Sequence, residues 1–252
     1  LFAVREELQD GSQDQGWAGQ ILETDKDYLS VVSSNINGYK TDRVVKENIE
    51  HEASIQEDGS IIDTVTITRE HQGGNLEYDW WNRVNSNYLR VYLPKGSELL
   101  EASGQTLEPY LAPLDYEKSG FRADSLVKSI EDKMMIDSKT GVQIFEENNK
   151  TVFGNWVYVS PGETVKVTYQ YKLPFKFNLT KSSDSYSLLA QKQAGSLGAD
   201  SLAVRARPSR QPSGGDPTGP NSGEFGYAPL SASAGLESTR RQRAPARCAR
   251  AA

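Results

Sequence analysis

Cysteine is almost missing from this chain: of 252 residues only Cys248 carries a thiol, so an internal disulfide and a thiolate metal site are both excluded. Histidine is nearly as scarce, with His51 and His71 the only imidazoles. No run of about 18 apolar residues occurs, so no helical membrane span is expected within the chain. An excess of positive charge is lacking too: the formal net charge is -6, which argues against nucleic acid and other polyanions as partners, because their recognition rests on clustered Lys and Arg. Nucleophile elbows, phosphate-cradling glycine loops and paired-histidine metal motifs are absent, and no catalytic residue, metal ligand or cofactor is assigned.

Lysine disappears after Gln193. The preceding residues balance at -10, whereas the remainder holds Arg, no Lys and few acids, and balances at +4. This tail, 194–252, is rich in Ala, Gly and Pro with no sustained period, so it is expected to be disordered. It reads as a basic interaction arm, a flexible linker, or a stretch translated out of frame.

From about residue 42 to Gln193 the dominant signal is period-two alternation. Val45, Glu47, Ile49, His51, Ala53 and Ile55 alternate with a mainly polar set, and Ile61, Val65 and Ile67 alternate with Thr64, Thr66 and Thr68. Both apolar sets are odd-numbered, so paired residue numbers must sum to an even number. A three-residue loop Glu57-Asp58-Gly59 meets this, setting Ile55 against Ile61, His51 against Val65 and Glu47 against Arg69. A slip pairing Ile55 with Ile62 would turn isoleucines to water. A second hairpin is expected from Thr151–Val159 through the type II turn Ser160-Pro161-Gly162-Glu163 to Thr164–Lys172, with Val165 and Val167 opposite Tyr158 and Trp156. Further strands are read at 88–93, 98–102, 142–146, 175–179 and 186–190, with a charged insertion at 105–140 carrying a short helix after Asp124.

These signals predict an all-β fold, an antiparallel Ig-like β-sandwich over 42–193, preceded by a short α/β remnant of an upstream domain (1–41) and followed by the disordered tail. The acidic pairs Glu23, Asp25 and Asp27, or Glu77 and Asp79, lack calcium-loop spacing and read as solvated loops. His51 reads as a core-facing histidine and His71 as a strand-end residue. They lie too far apart along the register to share a zinc. The best functional lead is the aromatic set Tyr78, Trp80, Trp81, Tyr88 and Tyr92. Trp80 and Trp81 would face opposite sides of a strand, and an exposed one would stack on sugar rings; the alternative is that the rings fill the core.

Several segments together resemble the family catalogued as domain of unknown function 4012. They are Gly16-Trp17-Ala18-Gly19 with Asp27-Tyr28-Leu29, Asn35, Gly38 and Lys40; then Ile55 to Thr68; Tyr88-Leu89-Arg90-Val91-Tyr92-Leu93-Pro94-Lys95-Gly96; Lys150 to Trp156; and Tyr186 to Gln193. The resemblance spans about residues 14–193. It implies a bacterial envelope protein, extracytoplasmic, with a membrane anchor upstream of residue 1 and an outward-facing C-terminal sandwich. It implies no activity and no catalytic residues. The expected role is a non-enzymatic spacer or adhesion module, with cell-wall polysaccharide or another envelope protein as partner. The rival is an accessory part of an envelope-polymer assembly enzyme whose active site lies in an upstream domain.

Overall fold

The computed structural model describes residues 6–14, 19–107, 115, 118–122, 124–178, 186–193, 199–208 and 233–236. In chain order the elements are α1 (Glu6–Asp14), β1 (Asp27–Asn35), β2 (Val45–Ile55), β3 (Ser60–His71), β4 (Asn85–Pro94), β5 (Glu98–Ser103), α2 (Ser125–Glu131), β6 (Met135–Ile136), β7 (Gln143–Glu147), β8 (Lys150–Val159), β9 (Thr164–Lys176), β10 (Ser187–Ala190), β11 (Ser201–Pro208) and β12 (Ser233–Leu236). They form two sheets, one ordered β12-β10-β1-β4-β8-β7-β6 and the other β11-β2-β3-β9-β5. The all-β expectation holds. Among the described residues no helix is long and apolar enough to cross a membrane.

The core lies between the sheets. Leu89, Val91, Leu93, Phe153, Val157 and Val159 come from one, and Ile49, Ile55, Ile61, Val65, Ile67, Val167, Tyr169 and Tyr171 from the other. Phe153 meets Tyr169 and Tyr171 with ring centroids 6.1 and 6.0 Å apart. A second cluster of Tyr28, Tyr92, Phe145 and Val152 covers the outer side of the larger sheet.

The β2–β3 hairpin has the register read from sequence: Ile55 pairs with Ile61, His51 with Val65, and Glu47 with Arg69. Gly59 adopts φ 80°, and the Gln56 amide donates to the Ser60 carbonyl at 2.8 Å. The parity that buries isoleucine also buries Asp63, Arg69 and His71 on the same face of β3.

The second expected hairpin is corrected. The turn exists, with the Glu163 amide donating to the Ser160 carbonyl at 2.9 Å and Gly162 at φ 81°. The strands leaving it enter different sheets, however: β8 lies between β4 and β7, whereas β9 lies between β3 and β5. Val165 and Val167 pair with Arg69 and Ile67, not with Tyr158 and Trp156. The apolar faces read as belonging to adjacent strands meet across the core instead. The segment read as a separate strand at 175–179 is, as far as Lys176, the end of β9, whose pairing with β3 shifts register opposite Pro174, a residue with no amide to donate. Leu179 lies outside the described residues.

Two further parts of the fold differ from expectation. Residues assigned to an upstream remnant supply β1, which is hydrogen-bonded between β4 and β10 inside the larger sheet; Gly16–Ala18 lie outside the described residues. The tail expected to be disordered supplies β11, which runs parallel to β2 from Ser201 beside Asn48 to Pro208 beside Ile55, and also β12, parallel to β10. Composition averaged over the tail concealed a local alternation in which Leu202, Val204 and Ala206 turn inward against the core. Ala199 and Asp200 lead into β11, and the other tail residues lie outside the described set. The sandwich is therefore mixed, with parallel pairs at β1/β10, β10/β12 and β2/β11.

Candidate functional site

Tyr78, Trp80 and Trp81 come together on the connection between β3 and β4, not in a strand. Asp79–Asn82 forms a 3₁₀ turn, so the two tryptophans do not alternate across a sheet as expected. Tyr78 stacks on Trp80 at 4.7 Å between centroids, and Trp81 meets Tyr78 edge-on at 4.9 Å. Tyr78 remains 38% and Trp80 45% exposed, while Trp81 is half-buried; none belongs to the core. Leu76 and Val84 add exposed apolar surface on the same connection.

The connection is held by specific hydrogen bonds. Asn82 Oδ1 accepts from the amides of Gly74 (2.7 Å) and Leu76 (3.0 Å), while its Nδ2 donates to the Leu76 carbonyl (2.8 Å). At its base the His71 Nδ1 accepts from the Gly73 amide at 3.0 Å, which leaves Nε2 to donate to the Arg83 carbonyl at 2.8 Å. His71 thus has both ring nitrogens engaged and pins both ends of the segment. A Cβ on Gly73 would fall 2.2 Å from the Trp81 carbonyl oxygen, so this close approach admits only glycine.

Tyr88 and Tyr92 do not join the cluster. Both lie on β4, on the outer side of the larger sheet: Tyr88 packs on Trp156 at 5.3 Å, and the buried Tyr92 donates its hydroxyl to Glu147 at 2.7 Å. Burial, then the hydrogen bond to Glu147, push the Tyr92 phenol up from its ordinary range.

A second constellation lies inside the fold, and sequence motifs did not reveal it. Asp27 on β1, His51 on β2 and Asp63 on β3 meet in the core with no solvent exposure of their side chains. His51 Nε2 stands 3.4 Å from Asp27 Oδ2 and 3.5 Å from Asp63 Oδ2, and the Tyr171 hydroxyl lies 3.5 Å from the same nitrogen. Tyr186 donates its hydroxyl to Asp27 Oδ2, and Asp27 Oδ1 accepts the Tyr28 amide at 2.7 Å. Neither Asp63 oxygen accepts a hydrogen bond. Burial pushes the His51 imidazolium down, and the two carboxylates more than offset it, holding the ring above its ordinary range. Burial and then the charge of Asp27 push the Asp63 carboxyl up, against the pull of His51.

Among the described residues this is the one group of three His, Cys, Asp or Glu side chains whose donor atoms lie within metal-binding distance of each other. The acidic pairs noted in the sequence separate: Asp27 enters the core, Glu23 lies 3.9 Å from the Lys150 ammonium, and Glu77 and Asp79 stay exposed. Asp63 had a signal, an acid at an inward position between Ile61 and Val65. Asp27 had none, because strand periodicity does not say which residue of the opposite sheet it will face. Comparison with protein-family models, with curated proteins and with solved structures finds no match.

Proposed function

We propose that this chain is a non-enzymatic module of the bacterial cell surface, an Ig-like sandwich that presents the Tyr78–Trp80–Trp81 tip to the sugar rings of a wall polymer. The observation that carries the reading is that three aromatic rings are kept out of the core on a connection braced by Asn82 and His71. A rigid aromatic platform binds with little loss of side-chain freedom, and Trp and Tyr are the residues that most often dominate such contacts. Exposed Glu77 and Asp79 flank the rings and accept hydrogen bonds from sugar hydroxyls. With Arg83 the only cation between Gln72 and Val84, the tip suits uncharged or amino sugars better than anionic ones. The envelope location rests on the resemblance drawn from sequence.

Binding to purified wall polysaccharide, measured by calorimetry, tests the proposal. Trp80→Ala is expected to weaken binding by about 30-fold or more, the effect of losing a contact of roughly 2 kcal/mol. Because the ring is nearly half exposed, the same change is expected to lower folding stability by no more than ~1 kcal/mol. Tyr92→Ala, which empties a buried site on the outer sheet surface, should instead destabilise the fold by about 3 kcal/mol. Wall binding that survives Trp80→Ala undiminished would overturn the reading.

A further inference from the structure

We propose that Asp27, His51 and Asp63 form a buried structural site for a divalent cation of the zinc class, which ties the two sheets together through the core. Asp27 belongs to the larger sheet and the other two residues to the smaller one. His51 and Asp63 are diagonal neighbours on the inner face, since His51 pairs with Val65 and Ala53 with Asp63.

Three observations point to a cation. The first is spacing. Charge-assisted N–H···O bonds close to about 2.7–2.9 Å, whereas the two His51–carboxylate separations are 3.4 and 3.5 Å. Ligands at about 2.1 Å from a shared tetrahedral ion are about 3.4 Å apart, the edge of that tetrahedron. The Tyr171 hydroxyl, also 3.5 Å from Nε2, adds one more oxygen beside the imidazole.

The second observation is the pair of orphaned Asp63 oxygens. A fully buried carboxylate is costly unless paired and hydrogen-bonded, and both oxygens lack a donor. A cation supplies the missing partner. The third is charge. Two ionised carboxylates with a protonated histidine leave a net negative charge in the core, which either a second proton on Asp63 or a dication beside a neutral imidazole brings to zero, and the dication does so while also giving the Asp63 oxygens a partner. Calcium and magnesium suit the site poorly, because they take six or more oxygen ligands, several of them water, and a histidine nitrogen is not among their usual donors. Tyr186 orients the Asp27 oxygen from outside the ligand set.

The full chain, refolded in chelator and then dialysed, should bind one Zn2+ with a rise in unfolding temperature. Co2+ in its place should give the visible absorption bands of a tetrahedral site. The chain has only two imidazoles, so nitrogen-15 spectra of the histidine rings read the site without any substitution: Zn2+ should shift the His51 ring nitrogens and leave His71, whose nitrogens are both engaged, unmoved. Asp63→Asn and His51→Gln should each weaken Zn2+ binding at least 10-fold, and Tyr186→Phe by roughly 10–100-fold. A folded chain that takes up no Zn2+, or whose His51 resonances do not respond to it, would overturn the proposal and leave a triad sharing one proton. Uptake that Asp63→Asn and His51→Gln leave unchanged would overturn it as well, by placing the ion elsewhere.

Discussion

Replacing Arg69 with methionine is expected to destabilise the fold by roughly 3–5 kcal/mol, the usual effect of removing one partner from a buried ion pair. The guanidinium lies on the inner face of β3 and its side chain is only 3% exposed. From the smaller sheet it reaches into the larger one, donating to Ser33 Oγ on β1 at 2.8 Å and to Asn85 Oδ1 on β4 at 3.2 Å, and it pairs with Glu47 on the adjacent strand β2. Asn85 passes the connection on to Thr41 at 2.9 Å and Asp42 at 2.8 Å. Methionine keeps most of the volume, so the loss would measure the stranded Glu47 carboxylate and the unpaired Asn85 oxygen instead of a cavity. Asp42, half exposed and 3.8 Å away, contributes little. The check is urea unfolding of Arg69→Met, Glu47→Gln and the double variant. Coupling predicts that the double variant is more stable than the sum of the singles implies, by about 1–3 kcal/mol. A loss under about 1 kcal/mol, or strict additivity, would show that the pair is merely adjacent.

Glu47 beside Arg69 was legible in the sequence because two isoleucine-rich strands joined by a short loop have only one parity that keeps both faces dry. The same parity shows that Asp63 and Arg69 point inward, once the acid and the base are read as members of the apolar face. The β8–β9 connection was not legible in this way. A four-residue type II turn suits a hairpin and an arch between sheets alike, and a core strand with apolar residues on both faces, such as Phe153 with Val152, fits either. Tyr88 and Tyr92 share an even parity opposite Leu89, Val91 and Leu93, which separates them from the odd inward set of β4. Their distance from Trp80 depends on where the β3–β4 connection folds, and Asn82, not hydropathy, decides that. Asp27, read with Glu23 and Asp25 as a solvated acid, is buried instead, and for the same kind of reason: its partners are brought to it by the stacking of two sheets, which leaves no period in the chain.

Truncation after Gln193, which sequence alone suggests is harmless, is now expected to reduce stability by roughly 2–4 kcal/mol. It removes β11 and with it the half-buried Leu202, Val204 and Ala206, whose full burial would be worth about 1.5–3 kcal/mol for each large side chain. It also removes the anchoring of Asp200, whose amide donates to the Glu47 carbonyl at 2.7 Å and whose carboxylate accepts the Glu47 amide at 2.8 Å. The bared β2 then becomes an edge strand, prone to pair with another chain. The comparison is urea unfolding of the full chain, residues 1–208 and residues 1–193. The 1–208 form should lie within about 1 kcal/mol of the full chain, and 1–193 well below it. Point changes in the full chain separate docking from mere chain length: Val204→Asp, on the inward parity, should reproduce much of the loss, whereas Ala203→Asp, on the exposed parity, should cost less than about 0.5 kcal/mol. If 1–193 unfolds at the same urea concentration as 1–208, or if the two aspartate variants behave alike, β11 adds no stability and the sandwich closes without it.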